Sequence, residues 1–186
     1  MRIIDYLKSL YPINEELELF FAQTAESRSY GKGDIIFAPD SYLRHVYFVE
    51  TGFTRIYYNK GNRDVTHYFF GPDTFGTGIE SLFYQKPSVF GFQALTDTVV
   101  MAIPFLAIKQ LAETNITMNH IIQKILLDSL ISFSRRFYNM QFETASERYQ
   151  SLMLENPALF QQATLGHIAS YLGVSQQTLS VIRGLK

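Results

Sequence analysis

The chain has 186 residues, 47% hydrophobic and 18% charged, with no Cys, no Trp and a formal net charge of -1. That is enough chain for one large domain, or a medium one plus a small one, and it excludes a wholly disordered polymer. Without Cys there is no disulfide framework, thiolate zinc site, Cys-ligated iron–sulfur cluster or Cys nucleophile, and a charge near zero leaves any nucleic-acid contact to a local patch or a symmetric pair of patches. The N-terminal stretch Met1–Leu17 has no apolar core leading to a small-residue cleavage site, and no run approaches the ~20 apolar residues of a bilayer span. The expectation is a soluble, cytoplasmic protein without a membrane partner. The 16 Phe and 12 Tyr suit a packed, pleated sheet.

Residues 1–26 read as helical. Asn14 is placed to cap a helix that carries Glu15 and Glu16 in its first turn, where carboxylates suit the helix dipole. Residues 27–103 read as β structure. The runs Ile35–Phe37, Val46–Val49, Phe53–Tyr58, Val65–Phe70, Val89–Leu95 and Val99–Ile103 are separated by turn residues such as Gly31-Lys32-Gly33-Asp34 and Gly71-Pro72-Asp73. Close spacing of this kind predicts an antiparallel barrel or sandwich, and Asn59–Asn62 predicts a hairpin turn. Aromatic side chains among Phe69, Phe75, Phe83, Phe90 and Phe92 are expected to line the barrel interior, either as the wall of a ligand pocket or as ordinary core.

From Phe105 onward the pattern is helical. Asn115 to about Asn139 forms one long segment, ~38 Å at 1.5 Å per residue. A helix of that length either packs wholly on its own barrel or pairs with a second copy. The pairing reading assigns Met118, Ile122, Ile125, Ser129, Ser132 and Arg136, spaced four and three apart, to a parallel homodimer seam. Ala145–Glu155 reads as a further helix, ended by Asn156-Pro157.

The most specific signal spans Leu165–Arg183, which has the layout of a helix-turn-helix. Thr164 caps the first helix, and Ile168, Ala169 and Leu172 form its buried face. Gly173 sits where the turn needs a left-handed backbone, Ser175 caps the second helix, and Leu179 with Ile182 pack it back. Burial there leaves Gln176, Gln177, Thr178, Ser180, Val181 and Arg183 outward. Gln bonds adenine bidentately and Val touches a thymine methyl, whereas Arg183 and Lys186 suit phosphate. From Asn156 to Lys186 there is no Asp or Glu, so Arg183 and Lys186 give this tail a charge of +2. Double-stranded DNA is the expected partner.

Together these features resemble the CRP/FNR family of bacterial transcription regulators over essentially the whole chain. Gly31–Phe37, Val46–Gly52 and Gly71–Gly76 look like the family's opening turn, its next strand and the start of its cyclic-nucleotide cassette. Glu147-Arg148-Tyr149 and the helix-turn-helix are similar to the subgroup common in Bacteroidetes. The resemblance implies an α+β chain: an antiparallel, cyclic-nucleotide-binding-like β-roll with flanking helices over 1–114, a dimerisation helix over 115–141 and a helix-turn-helix domain over 142–186. It implies a homodimeric regulator, with RNA polymerase as a further partner. It also points to an effector pocket at Phe75, Gly76, Thr77, Gly78, Glu80, Ser88 and Val89 for an unidentified small molecule.

The sequence departs from the cyclic-AMP pattern at that pocket. The family's binders carry Glu after the cassette Gly and an Arg about ten residues later. Here Thr77 follows Gly76, with Glu80 standing near the missing acid, and Ser88 stands at or beside the Arg position. Without a guanidinium a buried phosphate lacks its bidentate partner, a loss of roughly 1.5–3 kcal/mol, so cyclic AMP in the usual way is not expected. No cofactor and no metal is expected either: His45, His67, His120 and His167 are isolated. No Gly-x-Ser-x-Gly elbow and no phosphate-binding loop points to an enzyme. The competing reading is a ligand-binding β-roll that acts through protein partners, its DNA binding weak or lost.

Overall fold

A computed structural model describes residues 2–61 and 63–184; Asn62 of the expected hairpin turn and Lys186 of the expected phosphate contacts lie outside the described residues. Two short helices, α1 (Arg2–Leu10) and α2 (Glu15–Thr24), come first, and the Asn14 side chain caps α2 by accepting from the Leu17 N–H at 3.1 Å. Eight strands follow: β1 (Glu26–Tyr30), β2 (Ile35–Phe37), β3 (His45–Thr51), β4 (Thr54–Lys60), β5 (Arg63–Phe70), β6 (Thr74–Gly76), β7 (Gly91–Ala94) and β8 (Thr98–Pro104), with a short helix α3 (Ile79–Tyr84) between β6 and β7. They make two antiparallel four-stranded sheets, in the orders β1-β8-β3-β6 and β2-β7-β4-β5.

Period-two alternation gives the first sheet two buried faces. Tyr47, Val49, Val100 and Ala102 turn into the core between the sheets, with Ile56 and Phe92 of the second sheet. Phe48, Met101 and Ile103 turn outward, onto Ile3 and Leu7 of α1 and Leu17 and Phe21 of α2. The polar strand β1, pairing only with β8, has no such alternation, and no sequence pattern marked it or α3.

After β8 come α4 (Phe105–Thr114) and α5 (Ile116–Phe142), the latter capped by Asn115, whose side chain accepts from the Met118 N–H at 3.0 Å. Four helices close the chain: α6 (Ala145–Glu155), α7 (Leu159–Gln162), α8 (Leu165–Leu172) and α9 (Gln176–Gly184). Thr144 and Glu147 form a reciprocal capping box at the start of α6. The fold is thus the expected α+β arrangement of β-roll, long helix and C-terminal helices.

The long helix departs from expectation in its rotation. Met118 is 1% exposed, and Ile122 and Ile125 pack against the β-roll cluster. The Ser129 hydroxyl donates to its own helix at Ile125 O, the Ser132 and Tyr68 hydroxyls hydrogen-bond, and Arg136 donates to Tyr171 O. The row assigned to a seam between copies therefore packs on its own chain. Leu126, Leu130, Phe133, Phe137 and Met140, again four and three apart, form an exposed apolar row, in which Phe133 also packs on Tyr68 and His67 and Met140 lies against Gly173; Leu127, Ile131 and Tyr138 are exposed beside it. The two rows differ by one residue, ~100° of helix rotation.

Candidate nucleic-acid interface and effector chamber

The C-terminal helices are held by local chemistry at each turn. The Thr164 hydroxyl accepts from the His167 N–H at 3.2 Å, starting α8. Gly173 ends it with φ of 71° and ψ of 30°, a left-handed conformation open to Gly without steric penalty, and the Val174 N–H returns to Ala169 O at 3.0 Å. The Ser175 hydroxyl accepts from the Thr178 N–H at 3.0 Å and starts α9. Leu179, fully buried, locks α9 onto Ile168, Ala169 and Leu172 of α8 and onto Tyr149 and Leu152 of α6.

This packing sets the outward face. Gln176, Gln177, Thr178, Ser180 and Arg183 of α9 are exposed together with Val181, and Thr164 and Ser175 lie exposed at the two helix starts. Every described residue of the expected DNA contact set is therefore at the surface, on or beside one helix. Gln176 also lies over α8: a Cβ built on Gly166 would stand 2.9 Å from its Nε2. The small residue at position 166 leaves room for the amide of Gln176.

The other side of α8 is anchored to the barrel. The Thr66 N–H of β5 donates to the Ser170 hydroxyl at 3.0 Å, and the Tyr171 ring packs on Phe69 at 5.0 Å between centroids. Phe53 and Phe69 join the hydrophobic cluster of the C-terminal helices. Arg136 of α5 lies 3.8 Å over the Tyr171 ring, and Arg148 of α6 donates twice to Leu172 O, capping the end of α8. Beneath α8, Arg55 is 2% exposed and makes a double contact with Asp64, each at 2.5 Å, plus bonds to Thr66 and Gln93. His167 faces this pair, and its Nδ1 is buried without a hydrogen-bond partner among the described residues. Burial first, and the Arg55 charge second, hold the His167 pKa below its ordinary value, against the weaker pull of Asp64. Sequence reasoning missed this joint. The signal it offered was Arg55 itself, a lone cation in the middle of an apolar strand.

The expected effector pocket is only partly assembled. Gly76, Gly78 and Ser88 do come together inside the roll. A Cβ on Gly76 would sit 2.8 Å from the Phe92 ring, and one on Gly78 would sit 2.6 Å from the Ser88 hydroxyl. The Ser88 hydroxyl is satisfied locally, donating to Phe90 O at 2.9 Å and accepting from Phe90 N at 3.2 Å. Thr77 donates to His45 O at 3.1 Å. Phe75 points the other way, packing on Tyr6 and Phe48, because the alternation of β6 turns it toward α1. Glu80 and Val89 are exposed. Of the five phenylalanines among which interior ones are expected, Phe92 fills the space between the sheets, with Phe37, Tyr47 and Phe70 around it at 5.5, 6.2 and 5.8 Å, and half-buried Phe90 packs against the same core. Phe69 packs into the C-terminal cluster, Phe83 lies exposed against Phe105, and Phe90 sits at the rim beside Tyr58 and His67.

Among the described residues no three His, Asp or Glu gather as a metal-binding group, and no helix is long and apolar enough to cross a membrane. Residues 27–115 match the family model of the cyclic nucleotide-binding domain. No curated protein sequence matches the chain. Solved structures do. FixK2 from Bradyrhizobium japonicum superposes with a TM-score of 0.73 at 22% identity, over 87% of this chain and 83% of that one. The Thermus thermophilus catabolite activator protein gives 0.58 at 22% identity, over 97% and 85%. A second Thermus thermophilus protein, the CRP/FNR-family transcriptional regulator TTHA1359, gives 0.68 at 19% identity, over 86% and 84%. A β-roll, a long helix and a C-terminal helix-turn-helix in this order make the fold that of the CRP/FNR regulators.

Proposed function

We propose that the chain is a sequence-specific, DNA-binding transcription regulator of the CRP/FNR type that acts as a homodimer. Residues 1–114 are its effector part, 115–141 its pairing helix and 142–186 its DNA-binding head, close to the Bacteroidetes subgroup that the tail resembles. The observation that carries the reading is the outward face of α9, whose polar side chains are exposed while Leu179 fixes the helix from behind. In this reading Gln176, Gln177, Ser180 and Val181 meet base edges. Thr164, Ser175 and Thr178, at helix starts, meet phosphates, as do Arg183 and Lys186.

The pairing surface is the outward row of α5. Leu126, Leu130, Phe133, Phe137 and Met140 are 42, 64, 37, 71 and 41% exposed, and their 4-3-4-3 spacing is that of a two-helix seam whose occupant is a second copy. Two paired copies present two α9 helices to successive major grooves. Phe92 inside the roll, and Ser88 where a guanidinium is needed, argue against cyclic AMP bound in the usual way; the effector is another small molecule. RNA polymerase is the further partner, and the cytoplasm the place of action.

Selection of fragments from a genomic DNA library by the purified protein, at two salt concentrations and without nucleotide, tests the reading. The expected result is a two-fold-symmetric motif with half-sites ~10 bp apart. Arg183→Ala is expected to flatten the dependence of log K on log salt by about one unit. Recovery of bulk DNA alone, or of nothing, overturns the reading.

A further inference from the structure

Where β5, α5, α6 and α8 meet, the structure leaves a cavity of about 90 Å³. Its wall carries three guanidinium groups, Arg135, Arg136 and Arg148, against one carboxylate, Glu155. The three cations are not equally engaged. Arg148 is committed to backbone, donating through Nε and Nη2 to Leu172 O and through Nη1 to Glu143 O. Arg136 donates through Nη2 to Tyr171 O at 3.0 Å and lies over the Tyr171 ring at 3.8 Å, so it is partly engaged. Arg135, exposed at the cavity rim, has no hydrogen-bond or ion-pair partner among the described residues, and no ion pair joins Glu155 to any of the three. A guanidinium with unused forked donors, on a wall that carries two further guanidinium groups, is matched by the oxygens of a phosphate.

We propose that this cavity binds a small phosphate-bearing anion between Arg135 and Arg136, with Asn139 as a neutral donor beside them. The site is distinct from the chamber inside the roll, which Phe92 fills. It lies at the joint of the long helix with α6 and α8, so an anion held there ties the C-terminal helices to α5 in the arrangement described. Binding by itself does not depend on the proposed function. Its effect on DNA does, because a ligand shifts the head only through different affinities for two head positions.

The test uses the full chain and pyrophosphate, with inorganic phosphate as the smaller probe and malonate as a dicarboxylate control, at matched ionic strength. The ³¹P line of pyrophosphate is expected to broaden with the wild-type protein, and the melting temperature to rise with probe concentration as mass action requires. Arg135→Glu, at an exposed residue with no partner, is expected to keep the melting temperature of the free protein and weaken binding at least ten-fold. Asn139→Asp is a second variant with the same expected loss. A sharp ³¹P line at millimolar pyrophosphate, or equal binding by wild type and Arg135→Glu, overturns the site. Malonate binding as tightly overturns the phosphate assignment. A change in DNA affinity on adding pyrophosphate supports the coupling to the head, and an unchanged affinity overturns that coupling. Absence of any DNA binding overturns the proposed function while the ³¹P result still decides the site.

Discussion

The backbone N–H of Thr66, on an edge strand of the β-roll, finds its hydrogen-bond acceptor 104 residues away, in the Ser170 hydroxyl on the first helix of the helix-turn-helix. Thr66 is 1% exposed, so its amide has no water to fall back on while α8 stays docked. The sheet edge is covered by the head, which is one way a fold disposes of unpaired strand groups. Ser170→Ala leaves that donor unmade, at a cost of about 1–3 kcal/mol. If the joint opens to hydrate it, exchange of the Thr66 amide is expected to speed up ~5- to 150-fold. Hydrogen exchange followed by NMR reads this residue directly. Unchanged protection would mean that the amide has another acceptor.

The same joint is expected to loosen in acid. His167 faces Arg55 and Asp64 from α8, and burial holds its pKa below the ordinary value while the head is docked. A released His167 titrates near ~6.5. Above that pH it is neutral in both states and docking is strongest. As pH falls through ~6.5 toward the lowered docked value, the released state takes up the proton first, and docking weakens. Burial also lowers His45 and His67, which belong to the roll and act with the same sign on its stability. Comparison with His167→Gln isolates the joint. The acid-induced gain in Thr66 exchange, corrected for the intrinsic pH dependence of exchange, is expected to shrink in the variant. An identical gain in both proteins removes His167 from the account.

What was legible in the sequence was what local chemistry decides. Thr164, Gly173 and Ser175 each carry out a task that needs only their near neighbours, and the helix-turn-helix could be read from them. The strands with apolar alternation were legible for the same reason. β1, reading Glu-Ser-Arg-Ser-Tyr, was not, because its role is set by pairing with β8 and no apolar face marks it. Which phenylalanine enters the roll was not legible either. Irregular registers in β2 and β4, at Ile35/Phe37 and Ile56/Tyr57, break the simple parity from which facing is inferred. Of the pocket residues, Gly76, Gly78 and Ser88 were placed together by sequence, while Phe75 was assigned to the wrong face of its strand.

Inside the roll, restoring the missing arginine is not expected to restore a cyclic-nucleotide site. Ser88 is 2% exposed, and a Cβ on the facing Gly78 would already be 2.6 Å from its hydroxyl. Ser88→Arg adds a long cation where no space exists, so overpacking costs about 1–3 kcal/mol before any penalty for the buried charge. The expected outcome is a lower melting temperature that cyclic AMP does not raise. A melting temperature that climbs with cyclic AMP concentration would show that Phe92 can move aside and that the chamber is a latent pocket.

The long helix carries two rows at the same spacing, and sequence periodicity cannot choose between them. Met118, Ile122, Ile125 and Ser129 satisfy the pattern, and so do Leu126, Leu130, Phe133 and Phe137 one residue further on. The choice is made by tertiary contact: Met118 and Ile121 are drawn into the cluster of α1, α2 and the first sheet, and that fixes the helix rotation. Leu126, Leu130 and Phe137 of the second row are then left exposed, while Phe133 still touches Tyr68 and His67 of β5. Full burial of a Leu or Phe contributes about 1.5–3 kcal/mol. Leu130→Glu with Phe137→Glu, changed on both helices of a pair, therefore removes at least about 6 kcal/mol, which raises the dissociation constant on the order of 10⁴-fold. Sedimentation velocity is expected to show a folded monomer with an unchanged circular dichroism spectrum. Ile125→Glu, one row away, is expected instead to lower the melting temperature, because it puts a carboxylate against the chain's own core. The opposite pattern, with Ile125→Glu giving folded monomers and the Leu130 and Phe137 changes leaving a dimer, would return the seam to the row that packs here on its own barrel.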